Sequence, residues 1–175
     1  MPDPVTVTDI RIRPATPDDI PAIVDIINDA IRNSTTLWET RETTVPVRLE
    51  WLRDSNAQGF PILVAVTPDG TVAGYCSWKT FRPFSGYAHT VEHSIYIAPA
   101  FKRRGIGSLL LGHLCELARK SDVHVMVAAI TASNTPSRLL HERFDFQPGG
   151  MIPQCGTKFG RWMDLMFLYK LVPND

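Results

Sequence analysis

Apolar residues Ile20, Ile23, Val24, Ile27 and Ile31 recur at the three- and four-residue spacing of one helix face. Thr16-Pro17-Asp18-Asp19 before them supplies a helix start: a capping hydroxyl, proline at the first position, acids in the first turn. Upstream, Ile10 and Ile12 alternate with polar residues and predict a short strand. A second helix is predicted from about Pro46 to Gln58, capped by Thr44. Beyond it the period shortens. Pro61 to Thr67 and Val72 to Lys79 read as strands joined by the hairpin signal Pro68-Asp69-Gly70. A strand from Thr90 to Ile97 follows. The helix from Gly105 to Lys120 comes next, with Ile106, Leu109, Leu110, Leu114 and Leu117 turned inward. His124 to Ile130 is almost continuously apolar, as in a parallel strand buried on both faces. Asn134 to Arg143 reads as a helix, and Phe146 to Lys170 as two strands. The order β-α-α-β-β-β-α-β-α-β-β predicts an α/β (α+β) sandwich built on a central β-α-β crossover.

No repeat, linker or low-complexity tract interrupts the 175 residues, which predicts a single domain with residues 1–9 as a flexible N-terminal segment. The 18 basic and 18 acidic side chains cancel, so no global charge draws the chain to nucleic acid. No apolar run reaches the roughly 18 residues of a membrane span. The opening Met-Pro-Asp-Pro-Val-Thr-Val-Thr-Asp has neither the basic nor the apolar region of a signal peptide. Cys76, Cys115 and Cys155 match neither a zinc pattern nor a disulfide framework, and Cys76 and Cys115 read as buried thiols. A reducing cytoplasm is the expected location. His89, His113 and His124 form no ligand cluster with carboxylates, so no metal is expected.

Candidate chemistry begins at Phe101-Lys102-Arg103-Arg104-Gly105-Ile106-Gly107-Ser108, a strand-to-helix junction. Two glycines, three cations and the free N–H groups of a helix start make an anion cradle there. A P-loop is excluded because no lysine follows Gly107, and a dinucleotide turn because Leu110 occupies its third glycine position. A pyrophosphate ligand and a basic helix cap without ligand are the readings left open. In the preceding strand, alternation places Glu92, Ser94 and Tyr96 on one face and Val91, His93, Ile95 and Ile97 on the other. Glu92 reads as a general base, or as an ordinary strand-end carboxylate in an ion pair.

Lys102-x-x-Gly105-x-Gly107 resembles the coenzyme A pyrophosphate loop of the GCN5-related N-acetyltransferase (GNAT) superfamily. Thr90-Val91-Glu92-His93-Ser94-Ile95-Tyr96 is similar to a signature of its phosphinothricin and methionine sulfoximine/sulfone N-acetyltransferases. Asn33-Ser34-Thr35-Thr36-Leu37-Trp38, Phe81-Arg82-Pro83-Phe84 and Lys158-Phe159-Gly160-Arg161-Trp162 match the same family in order. The resemblance implies the GNAT fold, with two central parallel strands splayed around the pantetheine arm of acetyl-CoA. It implies acetyl transfer to the α-amino group of a small amino-acid derivative, with Glu92 as base and His93 and Ser94 lining the substrate site. Arg82, Ser85, Gly86 and Tyr87 would hold the amino acid, the arginine by a carboxylate or an anionic phosphinate; a solvated loop cation is the other reading of Arg82. Trp38 is either an apolar wall for a methionine-like side chain or a core tryptophan.

For the co-substrate, the resemblance implies backbone bonds from Ile95, Tyr96 and Ile97. It adds the loop Arg103, Arg104, Gly105, Ile106, Gly107 and Ser108, with Asn134 and Ser137 of the next helix cap. His141 stands where many relatives carry a tyrosine acid, and reads as a secondary catalytic candidate or a structural helix histidine. Asp145 replaces a glycine at a bend and tolerates a left-handed backbone. The family also implies a homodimer in which the Lys158-to-Trp162 loop lies near the partner's site, and zero net charge is compatible with self-association. A polyamine, an aminoglycoside or a protein N-terminus is the alternative acceptor. The basic, aromatic Phe81-Arg82-Pro83-Phe84 loop favours a small anionic one. A non-catalytic coenzyme A sensor is the alternative from another functional class.

Overall fold

A computed structural model describes residues 7–173. The strands are β1 (Arg11–Pro14), β2 (Ile62–Val66), β3 (Val72–Thr80), β4 (Thr90–Ile97), β5 (Val125–Thr131), β6 (Gln147–Lys158) and β7 (Arg161–Leu171). The α-helices are α1 (Ile20–Asn33), α2 (Val45–Ala57), α3 (Ile106–Arg119) and α4 (Thr135–Glu142). The element order is the one the periodicity predicts. Of the segment 1–9 expected to be flexible, residues 1–6 lie outside the described residues, and Val7–Asp9 form a 3-10 turn.

The strands make one mixed sheet in the order β1-β2-β3-β4-β5-β7-β6, with β4–β5 its parallel pair. Strand alternation divides β2 between two cores. Ile62, Val64 and Val66 pack with the isoleucines of α1 and with Leu52 of α2, while Leu63 and Ala65 pack with Leu110, Leu111 and Leu114 of α3. Burying both faces of β2 and most of β3 is what makes those strands continuously apolar.

Three local details differ from expectation. Before α1, Pro17–Asp19 form a 3-10 turn that Thr16 and Asp19 close as a capping box, and the Thr16 hydroxyl lies 3.0 Å from the Asp19 carboxylate as a donor. That carboxylate also takes the Thr16 N–H at 2.7 Å and both guanidinium nitrogens of Arg13 at 2.6 and 2.8 Å, so it closes the β1–α1 turn by itself. In α3 the inward stripe is Ile106, Leu110, Leu111, Leu114 and Ala118, and Leu117 faces out. The helix is leucine-rich all round, so apolarity alone does not fix its rotation. Thr44 precedes α2 in extended conformation without a side-chain cap bond. Asp145 does adopt a positive φ, +62°.

Candidate active site

β4 and β5 pair from Thr90↔Val125 to His93↔Ala128 and no further. Beyond that point β5 continues along β7 while β4 continues along β3, so a wedge opens between them. The ends of the β3–β4 ladder fix which backbone groups face it. Phe81 N–H donates to Thr90 O, and Ala98 N–H to Ala73 O. By alternation, even-numbered residues of β4 spend their backbone groups on β3, and odd-numbered ones turn theirs toward β5. Ile95 and Ile97 therefore present N–H and C=O to the wedge. Tyr96, expected to do the same, pairs with Tyr75 on the other side and lends the wedge only its side chain.

A groove of about 430 Å³ runs from this wedge to the N-terminus of α3. Ile95, Tyr96 and Ile97 line one end, and Arg103, Gly105, Ile106, Gly107 and Ser108 the other, beside Asn134. Arg103 (φ +63°) and Gly105 (φ +82°) are both left-handed, which turns the chain abruptly into the helix. The first intrahelical bond runs from Ser108 N–H to Gly105 O, leaving the preceding N–H groups of Ile106 and Gly107 at the helix mouth. Asn134 Oδ1 caps α4 by accepting the Ser137 N–H at 3.2 Å. Arg104 lies over Phe101, 5.6 Å from the ring centroid, and neither it nor Ser137 lines the groove. Open strand groups at one end and free helix N–H groups with cations at the other fit a long ligand with an acyl-amide arm and a pyrophosphate.

On the α1/α2 side of the sheet lies a larger cleft of about 1250 Å³, meeting the groove at Tyr96 and Thr36. Its floor is the predicted face of β4, Glu92, Ser94 and Tyr96, opposite Lys79, Ser77 and Tyr75 of β3. Glu92 Oε1 is 3.2 Å from Lys79 Nζ. Trp38 forms a wall: its indole N–H reaches Thr131 Oγ1 at 2.9 Å and Thr35 O at 3.1 Å, and its ring rests against Gly156 of β6. The buried Lys158 ammonium donates to Ala30 O at 3.3 Å and to Leu37 O, fastening the loop after α1 to the end of β6. Burial lowers its pKa, and the nearby Glu39 acts in the opposite direction. The sequence reading missed Lys79, Ser77, Tyr75 and Thr131, which reach the site through strand pairing.

Other expected site residues lie elsewhere. His93 is buried on the opposite face from Glu92, where its Nε2 is 2.9 Å from His141 Nε2. His141 Nδ1 is 2.7 Å from Ser137 O, a pure acceptor, so the neutral ring carries its proton on Nδ1 and accepts at Nε2 from His93. His93 Nδ1 is buried without a hydrogen-bond partner, although the Val127 backbone lies near enough to oppose the lowering of the His93 pKa. Burial lowers both imidazole pKa values; the His141 neighbour adds to the effect at His93, and the Ser137 carbonyl opposes it at His141. Neither histidine lines the cleft or the groove. Arg82, Ser85, Gly86 and Tyr87 are exposed beyond the cleft; the Arg82 guanidinium sits 4.2 Å from the Phe81 ring centroid and donates to Phe81 O at 3.0 Å. The loop expected to set the charge of the acceptor site therefore does not line it. The cleft itself carries five carboxylates (Glu39, Glu42, Glu50, Asp54, Glu92) and three cations (Arg41, Arg48, Lys79). Among the described residues no three His, Cys, Asp or Glu side chains are grouped to hold a metal ion, and no helix is long and apolar enough to cross a membrane.

Residues 23–146 match the family described as "Acetyltransferase (GNAT) family". The chain is 45% identical over 157 residues to the L-methionine sulfoximine/L-methionine sulfone acetyltransferase of Pseudomonas aeruginosa, covering 90% of this chain and 91% of that one. A solved structure called ribosomal-protein-alanine N-acetyltransferase, from Brucella melitensis, superposes with TM-score 0.90 at 43% identity, over 92% of this chain and 99% of the other. A GNAT superfamily phosphinothricin acetyltransferase from Sinorhizobium meliloti, solved in complex with AcCoA, superposes with TM-score 0.91 at 27% identity, over 94% and 89% of the two chains. With its splayed parallel strands, helix-mouth anion cradle and matched sequence, the chain belongs to the GNAT acetyltransferase family.

Proposed function

We propose that this enzyme transfers an acetyl group from acetyl-CoA to the α-amino group of a small amino acid derivative such as methionine sulfone, methionine sulfoximine or phosphinothricin. The observation that carries the reading is Glu92 on the cleft floor, one residue before the last β4–β5 pair, His93↔Ala128, beyond which the wedge opens. Acetyl-CoA supplies the thioester. Ile95 and Ile97 would hold its pantetheine arm by backbone bonds, and Arg103, the N–H groups of Gly105, Ile106 and Gly107 and the Ser108 side chain its pyrophosphate. Asn134 supports the groove through its cap on α4. An acceptor ammonium has a pKa near 10 and must lose a proton before it attacks, which is the task of Glu92. The backbone N–H of Ile95 is the donor nearest the reacting carbonyl in this reading. His141 takes no part in proton transfer, because both its ring nitrogens are engaged inward. Trp38 forms the wall beside the acceptor side chain.

Free thiol released from acetyl-CoA in the presence of methionine sulfone tests this reading; no release across a broad panel of amines would overturn it. Glu92→Gln should cost roughly 10²-fold or more in kcat/KM at neutral pH and recover in part as pH approaches the amine's own pKa. The exposed Met151, Ile152, Phe159 and Trp162 of the β6–β7 hairpin support a homodimer, which sedimentation would read as twice the 19.6 kDa chain mass. The exposed Cys155 thiol suits a reducing cytoplasm. A second reading, acetylation of a protein N-terminus, is favoured by the five carboxylates of the cleft and by the name of the Brucella relative. Competition between methionine sulfone and an alanine-terminated peptide in one assay separates the two.

A further inference from the structure

Lys79 stands directly across the β3–β4 ladder from Glu92, on the same face, and both line the cleft. Its side chain is 70% exposed and that of Glu92 18%, with 3.2 Å between Nζ and Oε1. With its lysine end exposed, the pair adds little to the fold, and the ammonium can exchange partners at little cost. Of the other cleft cations, the Arg48 guanidinium sits over Trp51 at 5.0 Å, and the backbone N–H and then the charge of Arg41 act on the neighbouring Glu39 carboxylate, helping to lower its pKa. Arg82, the expected carboxylate holder, lies outside the cleft over Phe81.

An α-amino acid is the complement of such a pair. Its ammonium and carboxylate are carried on one carbon, roughly 3 Å apart, close to the separation of the two protein charges. We infer that Lys79 binds the α-carboxylate of the acceptor while Glu92 receives its ammonium, four charges of alternating sign closing into a square. This rests on the amino-acid-acceptor reading and narrows it: the site selects an amine with a free carboxylate on the adjacent carbon, which a peptide N-terminus lacks. In the free enzyme Lys79 and Glu92 pair with each other. When the acceptor enters, one ion pair becomes two.

The test compares methionine sulfone with 3-(methylsulfonyl)propylamine, the same amine without the carboxylate, using the full chain and acetyl-CoA. Lys79→Met should lower kcat/KM for methionine sulfone by roughly ten-fold more than for the simple amine, the extra loss falling chiefly on KM. Lys79→Arg should retain most of the preference. Equal losses for both acceptors would make Lys79 a partner of Glu92 alone and overturn the inference, as would an unchanged preference. A wild-type enzyme that acetylates methionine sulfone while Lys79→Met behaves identically defeats only the Lys79 assignment. A wild type that acetylates no amino acid defeats the acceptor reading, and this inference with it.

Discussion

At the scale of single residues, the acceptor wall depends on the absence of a side chain. A Cβ on Gly156 would lie 2.2 Å from Cε3 and 2.5 Å from Cζ3 of Trp38, inside any real contact. The indole is also pinned from its other edge by Thr131, so Gly156→Ala must displace the ring or break that bond. We expect the variant to lose about 1–3 kcal/mol in urea unfolding and to raise KM for the acceptor more than KM for acetyl-CoA. From sequence Trp38 was legible only as either a wall or a core residue, and its partner not at all, because no local pattern links a loop after α1 to an edge strand near the C-terminus. The β4 residues teach a related lesson. Period-two alternation alone assigns Glu92, Ser94 and Tyr96 to one face and His93 to the other, and the fold obeys it. Family likeness had drawn His93 to the substrate side. Lys79 stayed unread because its role arises from register across a hairpin whose connecting loop is long and irregular.

Among the elements, the β3–β4 ladder is the one that shapes the donor site. Gly74 pairs with Ile97 at the open end of the wedge, and a Cβ there would meet Tyr96 O and Ile97 Cδ1, each at 2.8 Å. The carbonyl is backbone and cannot swing aside. Gly74→Ala should therefore push the tip of β4 into the wedge. Calorimetry should show acetyl-CoA binding weakened by roughly ten-fold, with less effect on the melting temperature than a core truncation causes; unchanged binding would mean the tip is pliant. Helix and strand order was readable throughout because each run carries a clear period and sharp punctuation. The rotation of α3 and the 3-10 entry to α1 were not. The first needs the neighbouring sheet to choose between equivalent leucine stripes, and the second depends on Arg13 reaching Asp19 from β1.

For the molecule as a whole, the buried His93–His141 pair ties the apex of the wedge to the helix that borders the groove. Both rings are held neutral in the fold, with pKa values below the ordinary imidazole value near 6.5 that the unfolded chain recovers. Below that pH the unfolded state binds more protons than the native one, so stability is whole above about pH 6.5 and falls with acidification. Urea unfolding should show roughly 1–3 kcal/mol lost between pH 7.5 and 5.5, the two imidazoles contributing up to about 1.4 kcal/mol each per pH unit. His93→Gln should remove about half of that slope; an unaltered slope would assign the acid sensitivity to carboxylates instead.

The groove and the cleft meet at Tyr96 and Thr36, and their linings include none of the three cysteines. In the proposed reaction there is accordingly no thiol of the protein on which the acyl group could rest between a first and a second half of the cycle. Direct attack of the amine on the thioester then has donor and acceptor on the molecule together. Initial rates at varied concentrations of both should then give intersecting double-reciprocal lines, so the meeting of two cavities at Tyr96 and Thr36 is read out in the form of the rate law.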